Sequence, residues 1–179
     1  MPIAIRLADD SYFDAITTCD FSFEIKGAFV PEFSKTLHEW AVVPAVTQWK
    51  DYGIDIEDLR DHIFSDDSAL FTGEIDGRPA GHIAIARNWN GYARIEDIAV
   101  DAKSRLKGLG KALMDTAAEW AREKGLAGLM LETQNNNMAA CRFYQRYGFS
   151  LGGIDRYLYR GIAPETDEIA LFWYLHFGR

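Results

Sequence analysis

Cysteine is nearly missing from this sequence, with Cys19 and Cys141 the only two among 179 residues. Two thiols so far apart exclude a disulfide framework and a paired-cysteine metal motif, and each is expected as a small buried hydrophobe. Histidine is sparse as well. His38, His62, His82 and His176 fall at no close spacing, which argues against a zinc site or any other metal. No run of about 18 apolar residues is present to span a membrane. The opening residues, Met-Pro-Ile-Ala-Ile-Arg-Leu-Ala-Asp-Asp, lack the charged and apolar regions of a secretory signal. A cytoplasmic protein with no membrane partner is expected. Positive charge is in deficit, with 19 Lys and Arg against 27 Asp and Glu and a net charge of −8. That balance argues against a nucleic-acid partner, which needs a basic face, and suits a small cationic substrate. What is abundant is core material. With 48% hydrophobic residues in this length, a single domain over 1–179 is expected.

Ala4–Leu7 predicts a first strand, followed by a helix capped at Asp9 or Asp10 and running through about Cys19. Residues 20–67 mix aromatic residues, acids and two prolines, and yield only one pattern, helical spacing over Asp55–Phe64. Beyond Ser68 the pattern turns to strands. Ala69–Ile75 and Ala80–Arg87 flank Asp76-Gly77, a strong hairpin signal, and Tyr92–Val100 completes an antiparallel meander. Gly108–Lys124 reads as an amphipathic helix, Gly128–Thr133 as a central strand parallel to Tyr92–Val100, and Met138–Tyr147 as a helix closed by Gly148. Final strands are expected at Ile154–Arg160 and Ile169–Phe177.

The stretch Glu96–Lys111 joins a strand end to a helix through a basic turn and two glycines. Unpaired N–H groups collect at such a junction, at the positive end of the helix dipole, and can hold a phosphate. Arg105, Lys107 and Lys111 add charge there. The dinucleotide fingerprint is disfavoured, because its third small residue is replaced by Leu113 and seven residues separate Val100 from Gly108.

A second motif follows the strand Gly128–Thr133: Asn137-x-x-Ala140-x-x-Phe143-Tyr144-x-x-x-Gly148-Phe149. Together the two motifs resemble the GNAT superfamily of acyl-CoA N-acyltransferases over about residues 68–160. The resemblance implies an α/β fold whose central mixed, largely antiparallel sheet is flanked by helices and splays into a V-shaped cleft for acetyl-CoA. It implies that Arg105, Leu106, Lys107, Gly108, Leu109, Gly110 and Lys111 hold the cofactor pyrophosphate. Ile98 and Val100 would pair through their backbone with the pantetheine arm. Asn137 would contact that arm, and Tyr144 the departing sulfur. Leu131-Glu-Thr-Gln134, Leu151-Gly-Gly-Ile-Asp155 and Glu168-Ile-Ala-x-Phe-Trp-Tyr174 look more narrowly like the streptothricin acetyltransferases, a branch that acetylates the antibiotic's β-lysine amine.

The chemistry needs a proton acceptor. A primary amine is protonated at pH 7, and deprotonating it costs about 4.6 kcal/mol. A carboxylate, directly or through water, is the usual solution. Glu96 and Asp97 are the candidates. They lie on opposite faces of an unbulged strand, and Glu96 is favoured because it shares a face with Ile98 and Val100, with the choice left open. At the other end of the reaction, a tyrosine can protonate a thiolate at little cost, a role that falls to Tyr144. Glu132 and Asp155 are candidates for holding the cationic acceptor. Direct transfer is expected, since neither cysteine matches a nucleophile position. Another amine (a polyamine, an aminoglycoside, or a peptide or protein amine) and a non-catalytic acyl-CoA-binding module stay open as alternatives, as does the choice between monomer and homodimer.

Overall fold

The structure is a computed structural model that describes residues 2–178. In chain order its elements are β1 (Ile3–Leu7), α1 (Ser11–Ile16), β2 (Phe23–Phe29), β3 (Val42–Lys50), α2 (Ile56–Asp61), β4 (Ser68–Ile75), β5 (Arg78–Arg87), β6 (Ala93–Val100), α3 (Leu109–Glu123), β7 (Gly128–Gln134), α4 (Met138–Tyr147), β8 (Ser150–Asp155) and β9 (Ala170–His176). Seven strands belong to one sheet, and β2 and β3 form a two-stranded ribbon. Contacts gather the chain into two compact units. One holds the residues up to Ser22, Asp51–Leu129 and the residues from Phe177; the other holds Phe23–Lys50 and Met130–His176.

In the first unit the strand order is β1-β4-β5-β6, every pair antiparallel. The β4–β5 turn is Asp76-Gly77, with φ of +52° and +75°, the twist that a two-residue hairpin requires. Strand β5 is buried along most of its length, which explains its run His-Ile-Ala-Ile-Ala. One face of the sheet carries Leu70 and Ala84, which pack with Tyr12, Phe13 and Ile16 of α1 and Leu59 of α2. Helix α3 packs against β1, β4, β5 and β6 through Leu109, Leu113, Met114, Ala117, Ala118 and Ala121, a stripe of helical spacing.

Helix α1 is shorter than expected. It ends at Ile16, where the hydroxyls of Thr17 and Thr18 donate to the carbonyls of Asp14 and Ala15, a local alternative to continuing the helix. Asp9 rather than Asp10 carries the capping contact, accepting from the Ser11 backbone N–H. Helix α2 starts where Asp55 accepts a hydrogen bond from the Asp58 N–H.

In the second unit β9 lies between β7 and β8, and β8–β9 is antiparallel. Asn135, buried beyond the end of β7, ties distant segments together. Its side-chain amide donates to the Phe29 carbonyl and accepts from the Ile169 N–H, while its backbone N–H donates to the Ile169 carbonyl. The strand expected over Ile154–Arg160 is corrected. β8 stops at Asp155, whose carboxylate accepts from the N–H groups of Tyr157 and Leu158 and turns the chain into a short 3-10 segment, Leu158–Gly161. Among the described residues, no helix is long and apolar enough to cross a membrane.

Candidate active site

The two candidate bases sit at an irregularity in β6. Ile95 lies opposite Ile85 and Asp97 opposite Ala84, so Glu96 is an extra residue with no partner of its own on β5. A bulge of this kind shifts the phase of side-chain alternation by one residue. Without it Glu96 and Asp97 would point to opposite faces. With it, Asp97 joins Ala84 on the face covered by α1 and α2, and Glu96 reaches His62 just beyond α2. The expectation of opposite faces is therefore corrected, and so is the reason for favouring Glu96. After the bulge Ile98 lies opposite Ile83 and Val100 opposite Gly81, on the other face of the strand.

Each carboxylate meets a histidine. Glu96 Oε2 lies 2.7 Å from His62 Nε2. Asp97 Oδ2 lies 2.7 Å from His82 Nε2, and His82 Nδ1 lies 2.9 Å from the Tyr12 hydroxyl. His82 is fully buried, whereas the Asp97 side chain is 51% exposed, so the line Tyr12–His82–Asp97 runs from the core to the surface. The Phe21 ring packs T-shaped against His82. Burial pushes the Tyr12 hydroxyl well above the ordinary tyrosine value, so it stays protonated and able to donate.

His62 differs. Its Nδ1 lies 2.9 Å from the carbonyl of Asp58 and its Nε2 faces the Glu96 carboxylate, and both partners are acceptors. The hydrogen bond to Glu96 raises the His62 pKa above its ordinary value, against the opposing effect of burial, and the same bond lowers that of Glu96. Both shifts favour the carboxylate–imidazolium form of the pair. Sequence spacing gave no sign of either histidine's role, because the partners lie 34 and 15 residues away and meet only through the sheet and its covering helices.

The basic turn follows β6 directly. Leu106 at φ +60° and Gly108 at φ +94° bend the chain, and Gly108 is the N-cap of α3. The helical bonding of α3 begins with Ala112 N–H to the Gly108 carbonyl, so the N–H groups of Leu109, Gly110 and Lys111 precede it at the positive end of the helix. Leu106 is fully exposed in a conformation that costs a non-glycine residue about 1 kcal/mol or more. The cations beside the turn are engaged locally. Arg105 donates to the carbonyls of Val100 and Phe21, Lys107 to that of Lys103, and Lys111 pairs with Asp115. Arg105 thereby braces the turn against β6. A backbone cradle flanked by lysines fits a pyrophosphate, as does its freedom from acidic side chains between Arg105 and Lys111.

The remaining candidates lie in the second unit. Asn137 caps α4, accepting from the Ala140 N–H at 3.2 Å. Tyr144 is buried on α4, its ring against Phe143, Phe149 and Trp173. Glu132 accepts from the hydroxyl of Tyr159. Asp155, besides holding its turn, lines an open cleft of about 400 Å³ with Pro31, Phe33, Ile154, Arg156 and Tyr157. Cys141 is fully buried, which pushes its thiol up to about 12, and burial also raises Cys19. Among the described residues no group of three or more His, Cys, Asp or Glu is placed to hold a metal.

Comparison with known proteins agrees with this architecture. Residues 34–149 match the model of the acetyltransferase (GNAT) family. The chain is 39% identical over 159 residues to streptothricin acetyltransferase A of Bacillus subtilis (strain 168), covering 87% of this chain and 89% of that one. Among solved structures it is similar to a protein assigned as a streptothricin acetyltransferase from Bacillus anthracis, in complex with acetyl coenzyme A. The TM-score is 0.90 and the identity 36%, over 98% of this chain and 100% of that one. Nourseothricin acetyltransferase is also similar, with a TM-score of 0.77 and 32% identity over 97% and 98% of the two chains. An α/β architecture with a seven-stranded sheet, a glycine turn opening α3 and these matches lead to one conclusion: the chain belongs to the acetyltransferase (GNAT) family of acetyl-CoA-dependent N-acetyltransferases.

Proposed function

We propose that this enzyme acetylates a primary amine of a streptothricin-type antibiotic, drawing the acetyl group from acetyl-CoA in the cytoplasm and so conferring resistance. The observation that carries the acceptor is the 159-residue match to a streptothricin acetyltransferase. A match of that length must reach into the first 67 residues, the region where sequence patterns reveal least about the acceptor. The acidic side chains support the same reading. Two carboxylates at one bulge, on the face covered by α1 and α2, suit a substrate that arrives as a cation.

Acetyl-CoA supplies an activated thioester carbonyl. Leu109, Gly110 and Lys111 would hold its pyrophosphate through their N–H groups, within the turn Arg105–Lys111. Ile98 and Val100 would offer backbone groups to the pantetheine arm, and Asn137 would contact that arm. One of Glu96 and Asp97 takes the proton of the acceptor ammonium, directly or through water. Tyr144 donates a proton to the departing thiolate. Glu132 and Asp155 would attract the cationic acceptor, Asp155 from a cleft that also presents the exposed rings of Phe33 and Tyr157. Transfer is direct, in keeping with two thiols held in their unreactive protonated form.

The test is a panel of amines incubated with acetyl-CoA while free thiol is followed. Turnover with streptothricin at micromolar concentration, and none with aminoglycosides, polyamines or peptides, is expected. Preference for any of those other amines would replace the acceptor, and an isolable acetyl-enzyme would replace direct transfer.

A further inference from the structure

We infer that His82, backed by Tyr12, is a positioning residue for Asp97, and that Asp97 rather than Glu96 is the carboxylate that takes the acceptor's proton. This rests on the acetyl-transfer reading above. The distinction comes from what each histidine's second nitrogen touches. At His62 both nitrogens face acceptors, a carbonyl and a carboxylate, so the ring serves both only as an imidazolium, and its charge offsets that of Glu96. At His82 the second partner is a hydroxyl, which can donate. With Tyr12 O–H donating to Nδ1, a neutral ring keeps its proton on Nε2 and donates it to Asp97 Oδ2. That bond fixes the carboxylate without cancelling its charge, and leaves Oδ1 of a half-exposed side chain available.

Two aromatic residues and one carboxylate face His82. Tyr12 and Phe21 pack on the ring from the α1 segment and Asp97 faces it from β6, while the ring itself is closed to solvent. Remove the Tyr12 hydroxyl and the proton is free to move to Nδ1, which turns the Nε2 lone pair toward a carboxylate. Asp97 would then swing away from the acceptor. In the reaction itself, an ammonium proton goes to Asp97 and on to solvent. The amine nitrogen bonds to the acetyl carbonyl carbon and the carbon–sulfur bond breaks. The nitrogen's second proton is lost as the amide forms, and the leaving thiolate is protonated.

The experiment compares steady-state acetylation of streptothricin by the wild type and by Tyr12→Phe, His82→Leu and His82→Gln, with thermal melting measured in parallel. Glutamine can place an amide donor near the position of Nε2, and leucine cannot. Tyr12→Phe and His82→Leu are expected to lower kcat by about tenfold or more, with the acetyl-CoA KM within about twofold, as displacement of a reacting group does. His82→Gln is expected to recover most of that loss. A purely structural role predicts instead lower melting temperatures, an unchanged kcat per folded molecule, and no advantage of glutamine over leucine; that result overturns the assignment. If His82→Leu does not fold, the near-isosteric Tyr12→Phe decides, and a wild-type kcat there overturns it equally. A wild type that releases no CoA thiol with any amine would remove the transfer reading and this role with it. Normal wild-type turnover with indifferent variants removes the role alone.

Discussion

Two histidine–carboxylate pairs stand one residue apart on β6, with the same 2.7 Å separation, and they are not the same device. In the α2 pair, His62 has a carbonyl behind it and is drawn into the charged state, making a closed ion pair with Glu96. In the α1 pair, His82 has a hydroxyl behind it, can remain neutral, and presents Asp97 with its charge intact. The residue types in direct contact are nearly identical. The third group, two hydrogen bonds away from the carboxylate across the ring, decides whether the acid is neutralised or offered to a substrate. The bulge matters because it brings both acids to one face, where the contrast becomes usable.

The largest effect is expected from exchanging the acids. Asp97→Asn should lower kcat by about 10²-fold or more, the usual worth of a positioned proton acceptor, and Glu96→Gln by clearly less. Steady-state rates at one pH measure both, and a larger loss in Glu96→Gln would reverse the roles.

A smaller effect is expected on stability. The folded pKa of His62 is raised above 6.5, so its contribution is full below pH 6.5 and disappears as pH rises through the higher folded value. Glu96 is lowered below 4.5, so its contribution is present above that pH and is lost as pH falls through the lower folded value. The pair therefore stabilises most between about pH 5 and 6.5. Hydrogen bonds to charged groups are worth about 1.5–3 kcal/mol. With the Glu96 side chain 35% exposed, solvent screening reduces this to about 1 kcal/mol. Denaturant unfolding of the wild type and His62→Leu should show that gap at pH 6 and a narrower one at pH 8.5. A gap that widens with pH would contradict the imidazolium.

The smallest effect sets the baseline. The Glu32–Lys35 pair is exposed on both sides, and Lys35→Ala should change stability by no more than about 0.5 kcal/mol in the same unfolding experiment. A change equal to that of His62→Leu would mean that burial is not what distinguishes the bulge.

Much of the fold was legible because local chemistry marked it. Asp76-Gly77 announced the hairpin, and Gly108 and Gly148 bracketed the helices that follow β6 and β7. The ribbon was not legible. β3 carries a proline and is exposed along nearly its whole length, so it lacks the alternation by which a half-buried strand is read. The strand expected over Ile154–Arg160 ends almost as it begins, because Asp155 turns the chain with two local hydrogen bonds that no strand pattern signals. The site divided in the same way. Its acids and its glycine turn stood out as runs in the sequence. The bulge had no glycine or proline to signal it, and the histidines acquire meaning only from groups brought to them by α1, the Asp58 carbonyl and β6.

The difference between the two pairs can be read from the ring nitrogens themselves. Nitrogen-15 spectra of the histidines at pH 7, assigned through the His62→Leu and His82→Gln variants, report which nitrogens carry protons. His62 should carry protons on both nitrogens in a larger fraction of molecules than His82 does, while His82 should carry its proton on Nε2 and lose that signature in Tyr12→Phe. A His82 ring protonated on both nitrogens, or a His62 ring no more protonated than that of His82, would contradict the separation of roles between Asp97 and Glu96.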